Sequence, residues 1–244
     1  MTQCIPIQDG RAVGTIVLPG SANRIEQYIA DDLRYVLSRM TGESLAIVAE
    51  SDSKAGARIL IGNTERGRAV VPDAERRELG REGYVLRERE GDLVLLGGEP
   101  ESDESYGTAH AYAELLSFLG ARFYLPGEIG ECIPRRNTVD LSGLDVRRSP
   151  SFRMRWVGKD ARWAIRNGQN YVETPELPSS FTVYPSIFHS QETLLPDDPF
   201  FREHPEFFAL VDGERSANER VRKLCNSNPE LPGVLAEQFA RALR

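Results

Sequence analysis

Cysteine is scarce in this sequence: Cys4, Cys132 and Cys225 are the three cysteines among 244 residues. Their number is odd, they lie far apart and no CxxC spacing occurs, which argues against a disulfide framework and against a thiolate zinc site. We therefore interpret them as reduced, mostly structural thiols. Nothing in the sequence leads us to expect a cofactor.

Long hydrophobic runs are also missing. No window approaches the roughly 18 consecutive apolar residues that a membrane helix needs. The N-terminal segment lacks the basic stretch followed by an apolar core that marks a secretory signal. We therefore expect a soluble, cytoplasmic chain with no membrane partner, or a secreted or periplasmic one if a leader has been removed.

An excess of basic residues is absent as well. The formal net charge is −7, with 30 Lys and Arg against 37 Asp and Glu, and the two signs are interspersed. Nucleic-acid partners normally require a clustered basic face, so we expect no nucleic-acid partner. The stretch from Gly97 to Gly107 has the glycines of a phosphate loop. It lacks the Gly-Lys-Ser/Thr ending, however, and its carboxylates would repel phosphate.

Two common kinds of hydrolytic site find no support. No GxSxG segment is present, which argues against Ser/His/Asp catalysis on a nucleophile elbow. His189, His204 and Cys225 are the candidates for a metal site, but no two of them share the short spacing of zinc ligands. We therefore expect no metal.

Two amphipathic helices are encoded in the first half of the chain. Apolar residues recur at helical spacing over 25–40. Asn23 and Glu26 form a plausible capping box before this helix, and Gly42 stands where a left-handed C-terminal cap belongs. A second helix is predicted from about Glu104 to Leu119.

Strand-like runs surround these helices. Two of the runs are joined at Glu90-Gly91, a dipeptide that favours a hairpin turn. We predict that residues 1–148 form a self-contained α+β sandwich, a sheet with helices on one face. The predicted strands cover residues 13–19, 44–50, 57–62, 82–90 and 92–98.

The pattern changes near Pro150. Beyond it, strand-like segments alternate with polar loops and helices, which is typical of parallel βαβ units. We place the domain boundary between residues 148 and 149. The predicted elements are strands over 152–157, 182–188 and 221–228, a short helix over 160–168, and a last helix that opens near Pro229.

Polar side chains follow these predicted strands. Arg155 and Asp160 come after the first, His189 after the second and Asn226 after the third. Because active sites of parallel βα folds lie at the carboxyl ends of the strands, we expect these side chains to converge on a ligand. Each sugar hydroxyl both donates and accepts a hydrogen bond, so this set suits a polyhydroxylated molecule.

Structural roles compete with that interpretation. Arg155 and Asp160 would also fit a structural ion pair, and His189 would fit a loop or core histidine. Trp163 could stack on a sugar ring, but a tryptophan at a helical position is more often part of a core. Asn226 would also fit the turn before the last helix.

Both halves of the chain resemble known families. The first half, with LGARFYLPG (Leu119 to Gly127) as its more specific segment, resembles the domain that precedes the barrel in β-hexosaminidases and α-glucuronidases. The second half, with HPEFFALVDGER (His204 to Arg215), resembles a bacterial domain of unknown function, the 4838 type, that follows such modules in glycoside hydrolases. The two resemblances cover nearly the whole chain.

The resemblance implies a sugar-binding role for the first strand of a glycosidase-like barrel. In the β-hexosaminidases a P-x-F-x-x-R pattern carries an arginine that holds sugar hydroxyls, and PSFRMR places Arg155 there. Asp160 resembles the aspartate that follows in the same pattern, and Trp163 and Asn167 resemble a Trp and an Asn of the unknown-function family. With the strand ends, the predicted substrate-binding set is Arg155, Asp160, Trp163, Asn167, His189 and Asn226, without a catalytic residue.

The predicted fold class is an α+β sandwich followed by the first βα units of a (β/α)8 TIM-like barrel. The 94 residues after Pro150 are too few for a complete barrel, which takes roughly 250. We therefore expect the N-terminal part of a glycoside hydrolase that acts on polysaccharide, uronic-acid or amino-sugar glycosides, with its catalytic carboxylates beyond Arg244. The rest of the barrel or another subunit would cover the exposed sheet edges.

Two other functions stay open on the sequence alone. The chain could be a non-catalytic carbohydrate-binding or interaction module that uses the same strand ends without chemistry. It could also be a small metal-dependent hydrolase that uses His189 and His204, which would require bound zinc.

Overall fold

The computed structural model of the chain describes residues 3–98, 106–152, 154–157, 160–170, 194–195, 197–215 and 223–242. The polypeptide divides into two compact units, Met1–Phe181 and Thr182–Arg244. The domain boundary placed between residues 148 and 149 stays a prediction. Within the described ranges, no helix combines the length and the apolar character that crossing a membrane requires.

Helices and strands alternate along most of the first unit. Its helices are α1 (Arg24–Thr41), α2 (Glu65–Val70), α3 (Asp73–Leu79), α4 (Gly107–Phe118) and α5 (Ala161–Arg166). Short antiparallel pairs are formed by β1 (Ile7–Gln8) with β2 (Arg11–Ala12) and by β8 (Arg122–Phe123) with β9 (Glu131–Cys132). The strands of the main sheet are β3 (Thr15–Leu18), β4 (Ala46–Ala49), β5 (Arg58–Ile61), β6 (Tyr84–Arg89), β7 (Asp92–Gly97) and β10 (Asp145–Arg148).

The main sheet is mixed. Over the described residues its strands follow the order β10-β6-β7-β5-β3-β4. β4, β3, β5 and β7 run parallel, whereas β6 and β10 run antiparallel to their neighbours. The predicted hairpin between β6 and β7 is confirmed, because Glu90 and Gly91 adopt φ angles of 53° and 88°, as a tight two-residue turn needs.

Both ends of α1 are set by local groups, as the sequence predicts. Asn23 Oδ1 accepts from Glu26 N at 2.9 Å, and Glu26 Oε2 accepts from Asn23 N at 2.9 Å. Gly42 ends the helix in the left-handed conformation, and its N–H donates to Ser38 O at 2.8 Å. The boundaries of α1 therefore do not depend on its packing against the sheet.

Helices cover both faces of the sheet, which corrects the one-sided sandwich expected from the sequence. Neighbouring strand residues such as Ile59 and Leu60 point to opposite sides. One side packs against α1 and α4, and the other packs against Val71 and Leu79, at the ends of α2 and α3. These two helices are six and seven residues long, too short to show a helical period of apolar residues in the sequence.

The strand predicted over 152–157 is not formed in the described part of that segment. Two of its backbone N–H groups donate hydrogen bonds to amide side chains instead of to a neighbouring strand. Arg155 N donates to Asn170 Oδ1 at 2.8 Å, and Val157 N donates to Gln169 Oε1 at 2.8 Å. Because these amides satisfy two backbone donors of the segment, these donors need no strand ladder.

A small apolar cluster forms the core of the second unit. The β11–β12 hairpin in this unit turns at Asp212 and Gly213, with φ angles of 52° and 86°. The elements are α6 (Asp197–Glu203), β11 (Leu210–Val211), β12 (Glu214–Arg215) and α7 (Leu231–Ala242). The core residues are Leu195, Phe207, Phe208, Leu224 and Leu231.

The two helices of the predicted βα pattern of residues 149–244 are formed. The short helix expected after residue 160 is confirmed as α5, and the last helix is confirmed as α7. The predicted strand over 182–188 lies outside the described residues. In the described part of 221–228, Leu224 forms an isolated bridge with Phe208 rather than a strand.

A buried ion pair joins α1 to α5. Asp32 on α1 accepts from Arg166 Nε at 2.7 Å and from Arg166 Nη2 at 2.8 Å. Tyr112 on α4 donates its hydroxyl to Asp32 at 2.7 Å, and Arg166 Nη1 donates to Glu131 at 2.6 Å. The side chains of Asp32 and Arg166 are 2% and 3% exposed. Both buried charges therefore have charged and hydrogen-bonded partners.

We predict that Arg166→Met lowers the free energy of unfolding by about 3–5 kcal/mol, because it leaves the Asp32 carboxylate buried without its partner. Arg162→Met is the matched control. Arg162 Nε lies 3.2 Å from the same carboxylate, but its side chain is 50% exposed, and such a pair contributes at most about 1 kcal/mol. Denaturant unfolding followed by circular dichroism measures both variants, and equal losses would contradict a dominant role for the buried pair.

Candidate functional site

A cleft of about 440 Å³ opens on the first unit beside α4. Its walls come from β6, α4, β8, the residues that follow β10 and the end of α5, so segments far apart in sequence meet at one surface. The residues with polar or aromatic side chains that line it are Tyr84, His110, Glu114, Ser117, Arg122, Phe123, Arg148, Ser149, Ser151, Arg166 and Asn167.

Glu114 on α4 faces the cleft between a phenol and a guanidinium. Tyr84 Oη donates to Glu114 Oε2 at 3.1 Å, and Arg148 Nη1 donates to Glu114 Oε1 at 2.8 Å. Burial raises the pKa of Tyr84 to about 12, and the Glu114 carboxylate adds to the rise. Tyr84 is therefore a protonated hydrogen-bond donor at neutral pH.

Two arginines give the cleft a positive rim. The side chain of Arg148 is 60% exposed. Arg122 is also exposed, while its Nη1 donates to Ser117 O at 3.1 Å and to Ala121 O at 2.8 Å. Exposed guanidinium groups beside a cleft are suited to ligands that carry carboxylates and hydroxyls.

His110, on the cleft wall, belongs to a polar cluster with Glu82, Arg155 and Asn170. Glu82 Oε2 lies 2.6 Å from His110 Nε2, and it accepts from Arg155 Nη2 at 3.1 Å and from Asn170 Nδ2 at 3.2 Å. Arg155 Nη2 also lies 2.6 Å from His110 Nε2. The protonation of His110 is thus coupled to the ion pair between Glu82 and Arg155.

Burial decides the charge of His110. It lowers the pKa of His110, and Arg155 acts in the same direction, whereas Glu82 raises that pKa. His110 is therefore neutral at neutral pH. Because Arg155 can only donate and an ionised Glu82 can only accept, a neutral Nε2 atom satisfies one of these two neighbours at a time.

Arg155, the first of the predicted substrate-binding residues, directs its guanidinium at groups of the protein. Its Nε donates to Gly168 O at 2.8 Å, its Nη1 donates to Phe152 O, and its Nη2 donates to Glu82. These bonds tie the segments before and after α5 to the cleft wall. Arg155 thus connects three segments of the protein next to the cleft.

Asp160, Trp163 and Asn167 lie at α5. Asp160 Oδ1 caps this helix by accepting from Trp163 N at 2.7 Å. Trp163 Nε1 and Asn167 Nδ2 both donate to Phe123 O, at 2.9 and 3.1 Å. Asn167 lines the cleft, whereas Asp160 and Trp163 hold the helix that presents it.

The five predicted site residues that the structure describes fall into separate parts of it. Arg155 and Asn167 are brought close together, since Arg155 binds the carbonyl oxygen of Gly168, the next residue after Asn167. Asn226 is an exposed residue of the second unit. His189 lies outside the described residues. The convergence of all six on one ligand therefore stays a prediction.

Sequence reasoning missed most of the cleft because Tyr84, Glu114 and Arg148 lie in elements that were interpreted as scaffold. His110 did carry a usable signal. It follows Tyr106 by four residues and therefore lies on the same face of α4, and a histidine buried on such a face needs a polar partner. Its partner Glu82 is 28 residues away, a distance at which no local pattern links the two.

No group of three His, Cys, Asp or Glu side chains is placed to hold a metal ion in the part of the chain that the structure describes. His204 lies 3.0 Å from Glu206 through its Nδ1 atom and stacks on Phe207. The metal-dependent alternative also needs His189, which lies outside that part.

Two family models match consecutive parts of the chain. Residues 8–110 match the glycosyl hydrolase family 67 N-terminus, and residues 125–244 match a domain of unknown function, DUF4838. The resemblance to an α-glucuronidase N-terminal module followed by the domain of the 4838 type is therefore confirmed. The first half of the chain is thus similar to the N-terminal region of a glycosyl hydrolase family.

Among solved structures, the chain is similar to a novel family GH115 4-O-methyl-α-glucuronidase with specificity for decorated arabinogalactans, at 17% sequence identity and a TM-score of 0.48. The similarity covers 68% of this chain and 25% of the other, so this chain spans about a quarter of that enzyme. No curated protein matches the chain.

We predict that acidification destabilises the protein through His110. The pKa of His110 is lowered by burial in the folded state, so the unfolded chain takes up the proton first, and stability falls as the pH drops below about 6.5. His110→Gln keeps an N–H donor toward Glu82 and removes the titration. The free energy of unfolding, measured from denaturant curves at about pH 7 and about pH 5.5, should fall further in the original protein than in the variant, by up to roughly 1 kcal/mol.

The two proteins are compared at each pH because other carboxylates titrate in both. The contributions of carboxylates distant from His110 cancel in the difference, which therefore reports on His110 together with its contact Glu82. An equal fall in stability for the variant and the original protein would show that His110 does not carry this pH dependence.

Proposed function

We propose that this chain is the N-terminal region of a glycoside hydrolase that acts on uronic-acid glycosides of a polysaccharide, and that the cleft beside α4 binds a carboxylated sugar. One observation carries the proposal. The cleft is lined from both family-matched parts, with Tyr84 and His110 in the first and Arg148 and Asn167 in the second. A shared cleft would explain why the two matched parts follow each other in one chain.

The charges around the cleft favour an acidic sugar over a neutral one. Of the three arginines that line the cleft, Arg122 and Arg148 are exposed and Arg166 is buried in its pair with Asp32, against the one lining carboxylate of Glu114. A guanidinium can bind a carboxylate through two parallel hydrogen bonds, which is the geometry that a uronate offers. Arg148 is exposed enough to direct some of its guanidinium N–H groups toward a ligand. Glu114 would then accept a hydrogen bond from a sugar hydroxyl.

The size and the remaining walls of the cleft suit the same ligand. Its volume of about 440 Å³ lies within the range of roughly 300–1,000 Å³ that is typical of small-molecule sites. The Phe123 ring and the amide of Asn167 add an apolar and a polar contact. Sugars are bound by this combination, because their rings have apolar faces and polar edges.

We assign the hydrolytic step to residues outside this cleft. Glycoside hydrolysis requires two carboxyl groups placed about 5 to 9.5 Å apart. Among the described residues that line the cleft, Glu114 is the one carboxylate. The cleft would therefore bind substrate while other residues of the protein cleave it.

The proposal includes the (β/α)8 barrel that is expected from the sequence. Residues 149–244 would supply the first βα units of a (β/α)8 barrel, with α5 and α7 among its helices. His189 and Asn226 would contact the substrate from that barrel. Its exposed strand edges would be covered by the remaining barrel strands or by another subunit.

A non-catalytic carbohydrate-binding module is the second candidate. The single carboxylate among the described cleft residues favours it, because binding needs no acid–base pair. Both candidates predict sugar binding by this chain. They differ in whether the whole protein hydrolyses an aryl glucuronide.

We predict that methyl α-glucuronide binds this chain more tightly than methyl α-glucoside, since the two sugars differ in the carboxylate that the arginines would hold. Arg148→Met should weaken binding of the glucuronide by about tenfold through the loss of a charge-assisted pair. It should change binding of the glucoside much less. Isothermal titration calorimetry measures all four affinities.

Arg147→Met is the matched control for that experiment. Arg147 precedes Arg148 on β10, so its side chain points to the other face of the sheet, where it pairs with Glu78 at 2.9 Å. The control removes the same charge from the protein without touching the cleft. Equal weakening by the two variants, or no glucuronide binding at all, would overturn the proposed sugar site.

A further inference from the structure

A second crevice of about 490 Å³ lies at the carboxyl end of the parallel strands of the first unit, and it shares no lining residue with the cleft beside α4. It is formed by the loops after β3 and β5, the end of β7, and residues of α3 and α4. Its polar side chains are Ser21, Asn23, Glu26, Asn63, Arg76 and Thr108.

The crevice occupies the point where the order of the parallel strands reverses. From β3, the chain passes through α1 to β4 at the sheet edge, and the next strand, β5, pairs with the opposite side of β3. α1 packs on one face of the sheet, whereas α2, which follows β5, packs on the other. The loops after β3 and β5 therefore diverge. Open α/β sheets bind ligands in the crevice at such a reversal.

Glycines fix the shape of this crevice. Gly97, at the end of β7, lies so close to the start of α4 that an added Cβ would stand 2.7 Å from Thr108 N. Gly98 approaches Gly80 O closely enough to exclude a Cβ atom. Gly62 has a φ of 77°, and its missing side chain leaves room for Glu26. The parts of the wall at these glycines are thus backbone held in place by close packing, which preforms this side of the crevice.

The buried charges in the crevice are balanced. Glu26 is 7% exposed and its Oε2 already accepts from Asn23 N at the start of α1. The side chain of Arg76 is 5% exposed, and its Nη1 lies 3.3 Å from Asp73. Because the Glu26 carboxylate occupies the positive end of α1, a second anion gains little there. Since Arg76 is paired with Asp73 and Glu26 with the start of α1, the crevice has no net preference for a charged ligand.

We propose that this crevice binds a neutral, hydroxyl-rich small molecule such as a single sugar ring. Ser21 and Thr108 provide hydroxyls, Asn63 provides an amide, and Glu26 and Arg76 add an acceptor and a donor, which together match groups that both donate and accept. Thr108 Oγ1 already accepts from Gly97 N at 3.1 Å, so its hydroxyl hydrogen is directed elsewhere. The crevice thus differs from the cleft beside α4 in charge, and the inference does not depend on the proposed function.

Amide chemical-shift mapping of the isotope-labelled chain tests this inference. Methyl α-glucoside, methyl β-xyloside and methyl α-galactoside serve as neutral probes, and methyl α-glucuronide serves as the charged one. We expect at least one neutral probe to shift the amides of Asn23, Asn63 and Gly98 to saturation, with a dissociation constant of roughly 1 mM or below. The glucuronide should bind at these amides no more tightly than the neutral probes, and it reports separately on the cleft through the amides of Arg122 and Ser149.

Asn63→Ala removes one amide from the crevice, and Asn137→Ala is its matched control, since both asparagines are exposed and only Asn63 lines the crevice. The first variant should weaken the neutral sugar by about tenfold, and the second should leave its affinity unchanged. Absence of saturable shifts with all neutral probes, equal effects of the two variants, or tighter binding of the glucuronide at Asn63 would each overturn the inference. None of these results bears on glucuronide binding in the cleft.

Discussion

The carboxylate of Asp32 is the charge around which the first unit is arranged. It lies on α1, beyond the reach of water, and it receives hydrogen bonds from Arg166 on α5 and from Tyr112 on α4. A buried carboxylate is tolerated only when such partners are complete, so the three helices meet in one arrangement. Since α5 carries Asn167 and is flanked by Arg155, the cleft wall takes its position from this ion pair.

The elements with local signals were predictable from the sequence. The capping box of α1, its glycine end and the Glu90-Gly91 hairpin depend on residues at most a few positions apart, and all three are present. The sequence did not predict α2 and α3, because each helix buries few side chains and makes at most two turns. The sequence of 152–157 predicts a strand because it is apolar in part. Its backbone donors are met by Gln169 and Asn170 instead, a pairing that no strand pattern encodes.

The cleft was less predictable than the fold because its contacts connect residues far apart in the chain. Arg155 was singled out from a motif, and the structure places it beside the cleft, yet its hydrogen bonds run to Phe152, Gly168 and Glu82. A motif states which residue occurs, whereas the direction of its side chain depends on neighbours that the motif does not contain. Asp32 and Arg166, 134 residues apart, show the same limit. Charge balance, rather than residue type, is what separates the cleft from the crevice at the strand ends.

The position of β10 has a consequence for how the protein can be divided. The match to the family 67 N-terminus stops at residue 110, inside α4, whereas β10 closes the sheet edge at β6 with residues Asp145–Arg148. A piece cut at the family limit would leave β6 as a bare edge, open to pairing with other chains. It would also separate Asp32 from Arg166. The matched segment is thus shorter than the segment that completes this sheet edge and the Asp32–Arg166 pair, which extends at least through α5.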